Sequence, residues 1–595
     1  MSIVAMKKVT VCGLLKEKEP TIAGLQRLGC MHLVPLAPAP AEPEKAAPAH
    51  AVDAYRALKY LMDGPRHRRP LRRDPNFDVE RVVADILATK DAQRSFTDRH
   101  DFLVQRIAAV EPWGDFRLPA QTLGGYMLWF YIVPLREMRA LEALELPWQV
   151  VHRTNKDAYV VVIAREEPAA EALPVPRTHT GRRSLSELRA ELEDVEVAIE
   201  AATAEREALT RYTFLLQQNL ARAEDSAALR HALEQALDAE EFFALQGWVP
   251  APQAPDLVAA GDAHGLAVLV EDPAPDEQPP TLLDEPPAVA AGSDLAVFYQ
   301  TPDYRAWDPS LLLFASFAVF FAMILSDAGY AVLLLLLTGY LWGRMGASDM
   351  GRRMRNLMLA LGGASLVYGI MVGSYFGIAP DEGGVLAALK VLELNDFDTM
   401  MTVSIVIGVG HIALANLIEA RRLWGRPAAY ARLGWAAAVL SGLLIWRGGP
   451  GVAGVGIVVL VAALAAVFLF ASERVVRRPV DLLRRGLDGL LALTNVTKIF
   501  GDVLSYMRLF ALGLASASLA LTFNQLAGQI NDALPGIGLF LSLLVLVVGH
   551  ALNLGLAVMS GVVHGLRLNF IEFYNWGMSG EGYAFDPLRK REVET

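Results

Sequence analysis

The 595 residues are 53% hydrophobic and 20% charged with a mean hydropathy of +0.31, too apolar for an ordinary soluble enzyme and too charged to be membrane-embedded throughout. A net charge of −11 and a pI near 5.6 argue against a nucleic-acid binder, for which a basic domain is expected. Cys12 and Cys30 are the only cysteines and form no CxxC motif, so neither a disulfide framework nor a zinc cluster is expected.

Charge and hydrophobicity are segregated along the chain. Up to about Asp308 no uncharged apolar run is long enough to cross a bilayer, whereas from Pro309 to about Phe573 such runs recur. Residues 1–308 therefore read as a cytoplasmic half and 309–595 as a membrane domain. The opening MSIVAMKKVTVCGLLKEKEP lacks a signal-peptide core, which keeps the first half in the cytoplasm.

Lys8 to Leu14 is strand-like, KEKEPTIAGLQRLG helix-like and MHLVPL at 31–36 again strand-like, a β-α-β opening of a small α/β lobe. The Pro- and Ala-rich APAPAEPEKAAPA reads as a linker. From Val79 a long helix is expected, with Val82, Ile86, Phe96, Leu103 and Ile107 near heptad spacing and Thr89, Gln93 and His100 interrupting the seam. A distal lobe near 112–180 follows: the strand YMLWFYIV, then WQVVHR and AYVVVIA as a hairpin around TNKDA.

Ser184 and Glu187 form a capping box that opens a second long helix. Its Leu185, Leu188, Leu192, Val195, Ile199, Ala202 and Leu209 step by threes and fours, with Arg206 the exception. The two long helices predict an antiparallel coiled-coil hairpin joining two α/β lobes. LQGWVP at 245–250 and LAVLVED at 266–272 return the chain to the first lobe. This half contains no phosphate loop, no acid/base pair and no metal-ligand spacing, so no enzyme and no cofactor are expected in it.

Apolar runs near 310–326, 329–343, 356–378, 400–419, 432–447, 451–471, 498–526 and 537–570 predict eight membrane helices. The Arg-rich segments GRMGASDMGRRMR, ARRLWGRPAAYAR, ERVVRRPVDLLRR and LRKRE all fall on the cytoplasmic side if the N-terminus does, and the C-terminus then lies there too. Asp327, in the tight turn between the first two helices, is expected near the aqueous face.

The last two runs carry the charges that need explaining. Arg508 lies inside the first and Arg567 near the end of the second, and an intramembrane cation costs at least about 2.5–3.5 kcal/mol. On the final helix His550, Asn553, Ser560, His564 and Arg567 recur at helical steps, with Ala557 completing the row. On the preceding helix Ser505, Arg508 and Ser516 share one face, and Ser518, Thr522 and Gln525 form a second strip nearer the outer end. Serines, Asn and His of this kind commonly serve as interhelical glue; the arginines are too costly for that role. His564 and Glu572 are expected beside Arg567 at the cytoplasmic end, with Gln525 toward the outer opening.

GDVLSYMRLFALGLA followed by HGLRLNFIEF resembles the C-terminal helix pair of subunit a of rotary V/A-type ATPases, called subunit I in prokaryotes. The likeness extends through KKVTVCGL, LQGWVP, Asp308-Pro309, FFAMILSDAGYA, YGIMVGSYFG and the His411 and Asn416 of GVGHIALANLIE. It departs in the alanines of FFAMILSDAGYA, where the family usually has glycines, and at Ala557 and Ser516, where eukaryotic relatives tend to carry Glu and His.

The resemblance implies a non-catalytic stator. Its cytoplasmic arm would meet peripheral-stalk subunits, and its membrane domain would offer two ion half-channels to a rotating proteolipid c-ring, the proton being the expected ion with sodium left open. The other partners implied are the remaining ATPase subunits and membrane lipid, with no nucleic acid, in a multi-pass protein of the inner (plasma) membrane. The readings left in competition are a secondary transporter or channel whose arginines bind an anion, and a membrane-anchored scaffold.

Overall fold

The structure, a computed structural model, describes residues 3–36, 49–64, 66–117, 124–142, 144–169, 173, 175–381, 383–393, 396–474, 476–578 and 580–591. Most of the Pro- and Ala-rich stretch expected as a linker, residues 37–48, lies outside them. The N-terminal part is mixed sheet and helix. It runs β1 (Met6–Leu14), α1 (Lys18–Leu28), β2 (His32–Val34), α2 (Ala49–Met62), α3 (Val79–Val110), β3 (Met127–Pro134), α4 (Arg139–Glu142), β4 (Trp148–Arg153), β5 (Asp157–Ala164), α5 (Leu185–Leu209), α6 (Thr213–Gln235), β6 (Leu237–Ala239), β7 (Phe242–Pro250), α7 (Ala254–Ala263), β8 (Ala267–Glu271) and α8 (Ala291–Tyr299).

The rest is helical: α9 (Ser310–Leu325), α10 (Ala328–Tyr340), α11 (Trp342–Met345), α12 (Asp349–Val372), α13 (Val385–Ala388), α14 (Phe397–Arg422), α15 (Pro427–Arg447), α16 (Pro450–Phe470), α17 (Pro479–Leu493), α18 (Asn495–Ser505), α19 (Met507–Ala533), α20 (Gly538–Arg567) and, after a π-turn at Leu568–Phe573, α21 (Tyr574–Gly577). Two compact units result. One holds residues 1–15, 30–36 and 238–587, the other 16–29, 37–237 and 588–595.

In the second unit, α3 starts where the Asp78 carboxylate accepts from the backbone N–H groups of Glu80 and Arg81, and α5 starts at the expected Ser184–Glu187 capping box. The two helices pack antiparallel, with Leu103 and Val110 against Leu185 and Leu188 at one end, while at the other Val82, Val83 and Ile86 cluster with Leu209 of α5 and Leu216 and Leu220 of α6. Between these ends Leu192, Val195 and Ile199 are only half-buried. The lobe beyond them is an antiparallel sheet of order β3-β5-β4, with a bulge between Val150 and His152. Its β5 alternates as a one-faced strand should: Ala158, Val160, Val162 and Ala164 are buried.

In the first unit the sheet runs β2-β7-β1-β8, with β6 pairing β7. The LQGWVP strand thus lies between the two opening strands, antiparallel to both, and β8 covers the far edge of β1. The segment after α21 comes back to this sheet. The backbone N–H of Phe585 donates to Thr281 O at 3.0 Å, and that of Asp586 donates to His32 Nδ1 at 2.9 Å.

Among the described residues six helical stretches are long and apolar enough to cross a membrane, which makes this a multi-pass membrane protein; α9 and α10 are shorter apolar helices. Small residues set the closest approaches. A Cβ on Gly434 of α15 would lie 2.8 Å from the Ala463 carbonyl of α16, and one on Gly369 of α12 would lie 2.3 Å from the Ala328 nitrogen.

That second contact seats the turn between α9 and α10. Asp327 is 3% exposed, and its carboxylate accepts from Tyr330 N, Phe376 N, Gly377 N and the Ser374 hydroxyl at 2.7–3.0 Å. Four protein donors thus take the place of water around the Asp327 carboxylate.

Candidate functional site

Contacts between α19 and α20 run antiparallel, from Asn531 beside Gly538 at one end to Ser516 beside Asn553 further along. This pairing brings the first turn of α19 next to the last turn of α20. Arg508 stands two residues after Tyr506, where the helical run changes from α18 to α19. At the facing end the backbone leaves α-helical winding for the π-turn, a rare geometry that often marks function. The wider winding turns Leu568, Asn569, Phe570, Glu572 and Phe573 inward.

Five of the sequence-selected residues meet here. The Ser505 side chain is within interaction reach of the Glu572 carboxylate, which is 2% exposed. Arg508 is within electrostatic reach of Arg567 and Glu572, and His564 of both arginines. Arg508 is half-buried, whereas Arg567 is exposed. Three buried polar atoms in this cluster have no protein partner: Arg508 Nη1, His564 Nδ1 and Glu572 Oε2.

A cluster with two cations, one carboxylate and unmet hydrogen-bonding capacity is not a closed ion pair. It retains positive character from Arg508 and Arg567 together. Behind it, His411 Nδ1 lies 2.8 Å from the Tyr506 hydroxyl, and the His411 ring stacks on Phe573 at 4.3 Å. Trp576 Nε1 donates to Asp502 at 2.7 Å, while Arg432 donates to the Trp576 carbonyl at 3.1 Å. The arginine end of the pair is thus braced by α14, α15 and α18.

The other selected residues lie apart. His550 and Asn553 belong to a hydrogen-bonded chain that begins at α10. Asn553 Nδ2 donates to the Tyr330 hydroxyl at 3.0 Å and to Ser516 O at 2.8 Å. His550 Nδ1 lies 2.8 Å from the same hydroxyl and its Nε2 lies 3.0 Å from Asn524 Oδ1. Asn524 Nδ2 donates to Phe376 O at 2.8 Å, so Oδ1 accepts from His550 Nε2–H. The chain links Asn553, Tyr330, His550 and Asn524 to the turn after α12. Ser560 is half-buried between the two clusters, and Gln525 is exposed on α19.

Tyr506, Tyr330, Asn524 and Asn569 were not selected from the sequence. Asn569 is fully buried, accepting from Ser316 Oγ at 2.5 Å and donating to Gly565 O at 3.0 Å. The usable signal was proximity: Tyr506 stands two residues before Arg508, and Asn569 two after Arg567. Among the described residues no group of His, Cys, Asp or Glu is arranged to hold a metal.

No protein-family model matches the chain. It is 28% identical to a protein of Treponema pallidum named V-type ATP synthase subunit I 1, over 99% of this chain and 100% of that one. The chain is a homologue of V/A-type ATP synthase subunit I. The V-type ATP synthase subunit I of Chlamydia pneumoniae is 26% identical over 87% of each chain. The A-type ATP synthase subunit I of Methanocaldococcus jannaschii is 28% identical over 60% of this chain and 56% of its own. A solved structure described as the cytoplasmic N-terminal domain of subunit I, homolog of subunit a, of V-ATPase is 17% identical over 44% of this chain and 99% of its own, with a TM-score of 0.23.

Proposed function

We propose that this chain is the stationary membrane subunit of a rotary V/A-type ATPase, carrying no catalytic site of its own and conducting ions between two half-channels against a turning ring of proteolipid subunits. The observation that carries the reading is the open cluster around Arg508. A ring carboxylate must be neutral to pass through lipid and must release its ion at the stator. A fixed guanidinium favours the ionised form: at about 4 Å and an effective dielectric near 20 the attraction is about 4 kcal/mol. Arginine suits this because it stays charged when partly buried, and the same charge seals one half-channel from the other.

The inner half-channel is assigned to His564, Glu572 and Ser505 beside Arg508 and Arg567, and the outer one to the side of Gln525 and Ser560. His550 and Asn553 form the wall of the outer path. In this reading residues 1–308 are the cytoplasmic arm, a coiled-coil hairpin between two lobes that meets the peripheral stalks, and 309–595 form eight crossings in the inner membrane.

The hydrogen bonds from Phe585 to Thr281 and from Asp586 to His32 support an even number of crossings between those two segments. With α9 and α10 counted as crossings, the six long helices become eight. A cysteine at Asp396, the N-cap of α14, should then label from outside and one at Arg421, in its last turn, from the cytoplasm; labelling from one side only ends the topology.

Purification tests the function directly. The chain should co-purify with proteolipid and nucleotide-binding subunits and support ion-driven rotation. Isolation as a free, anion-transporting protein would establish the transporter instead.

A further inference from the structure

The stretch between α16 and α18 resembles neither a loop nor a crossing. From α17 through α19 the helical run covers 55 residues, about 80 Å at about 1.5 Å per residue, against roughly 30 Å of hydrocarbon. The 27 residues of α19 suffice for the crossing. Yet α17 exposes mostly apolar side chains: Val480, Leu482, Leu483, Leu487, Leu490 and Leu491 are 54–70% exposed, and Gly489 is its one buried residue.

The apolar side chains have one direction. Val480, Leu483, Leu487, Leu490 and Leu491 recur at helical steps on the side opposite Gly489, which meets the Phe468 carbonyl. The polar side is pinned to the end of α16. Asp488 accepts from the Ser472 hydroxyl at 2.8 Å and pairs with Arg474 at 2.9 Å, and Arg485 donates to Leu469 O at 2.9 Å. Since α16 is a candidate membrane span that ends at Phe470, these contacts hold α17 at the depth where that span leaves the hydrocarbon. Between 473 and 488 five arginines stand against three carboxylates, in a chain whose net charge is −11.

We propose that α17 is an interfacial anchor, lying in the plane of the membrane with this row in the acyl boundary of the cytoplasmic leaflet and Arg477, Arg478 and Arg484 at anionic headgroups. A leucine row rimmed by arginines and held at the membrane boundary is the pattern of a helix that lies on a bilayer rather than through it. Thr494 and Tyr506, which separate α17, α18 and α19, both keep right-handed helical torsions. The choice of leaflet rests on the orientation proposed above, whereas the immersion of α17 does not.

Spin labels test this in the assembled complex, reconstituted in phosphatidylcholine vesicles containing one quarter phosphatidylglycerol. With Cys12 and Cys30 replaced, labels at Leu487→Cys and, as a second site, Leu491→Cys are compared with one at Val197→Cys, which is 61% exposed on α5. The expected result is a ratio of oxygen to aqueous nickel-chelate collisions at least fivefold higher at 487 and 491 than at 197. A ratio equal to that at 197 would place the row in water. Low collision with both reagents would mean that protein, such as the ring, covers it. Either result overturns the anchor, and neither bears on the role of Arg508.

Discussion

The Tyr506 hydroxyl lies 2.8 Å from His411 Nδ1, tying the break between α18 and α19 to the middle of α14. His411 Nε2 has no partner, so the tyrosine supplies the only hydrogen bond the described structure gives this buried ring. Tyr506→Phe leaves a second imidazole nitrogen unmet, which costs about 1–3 kcal/mol. The expected outcome is a complex whose thermal midpoint falls by several degrees while its subunits remain bound. An unchanged midpoint would show that the bond does not brace the site.

Arg508→Ala should abolish ion-driven rotation and coupled ATP synthesis in an assembled complex. Arg508→Lys should be severely impaired, because an ammonium lacks the guanidinium fork and can lose its proton when desolvated. Arg567→Ala should be milder, since that side chain is exposed. His564→Ala, which removes one of the unpartnered polar atoms beside Arg508, should lower flux severalfold without loss of subunits. Rotation assays on the purified variants decide this, and near-normal pumping by Arg508→Ala would end the mechanism.

Charge reversal along α5 should be graded. Leu188 is 5% exposed in the cluster with Leu103 and Val110, whereas Leu192 is only packed against its rim. Leu188→Glu should destabilise the arm by roughly 3 kcal/mol or more, and Leu192→Glu by clearly less. Chemical unfolding of the arm measures both; equal effects would contradict the observed packing.

These residues also show what could be read ahead. Burial of Leu185, Leu188, Ala202 and Leu209, the box at Ser184 and the alternation of β5 follow from local spacing, which periodicity reports directly. The arginines stood out because charge is improbable inside an apolar run. What was not legible depends on partners distant in sequence. Asp327 draws three of its donors from residues 374–377, and Tyr330 and Asn524 gained meaning only from His550. The π-turn that buries Glu572 has no local sequence signal.

The C-terminal segment should respond to pH through His32. Burial holds its imidazole below the usual value of 6.5, outweighing the attraction of Asp586, and its Nδ1 accepts the Asp586 N–H. With the folded value below the unfolded one, the contribution is fully present above about pH 6.5 and is lost as pH falls through the lower, folded value. Hydrogen exchange at Asp586 should accelerate below pH 6 in the native protein and be fast and far less pH-sensitive, once corrected for intrinsic exchange, in His32→Ala. Equal protection at pH 5 and pH 7.5 would refute this.

The bond between Asp586 and His32 joins positions 554 residues apart. A ribosome finishes β1, β2, β7 and β8 early, but the strand-like run that fastens onto Thr281 and His32 emerges only after every apolar helix has been made. Closure of this contact is therefore a late event in the biogenesis of the chain. Until then the end of α20, which carries Arg567 and leads into the π-turn, has no tether to the sheet, so a nascent chain released early would lack both its final helix and the fastening that holds it.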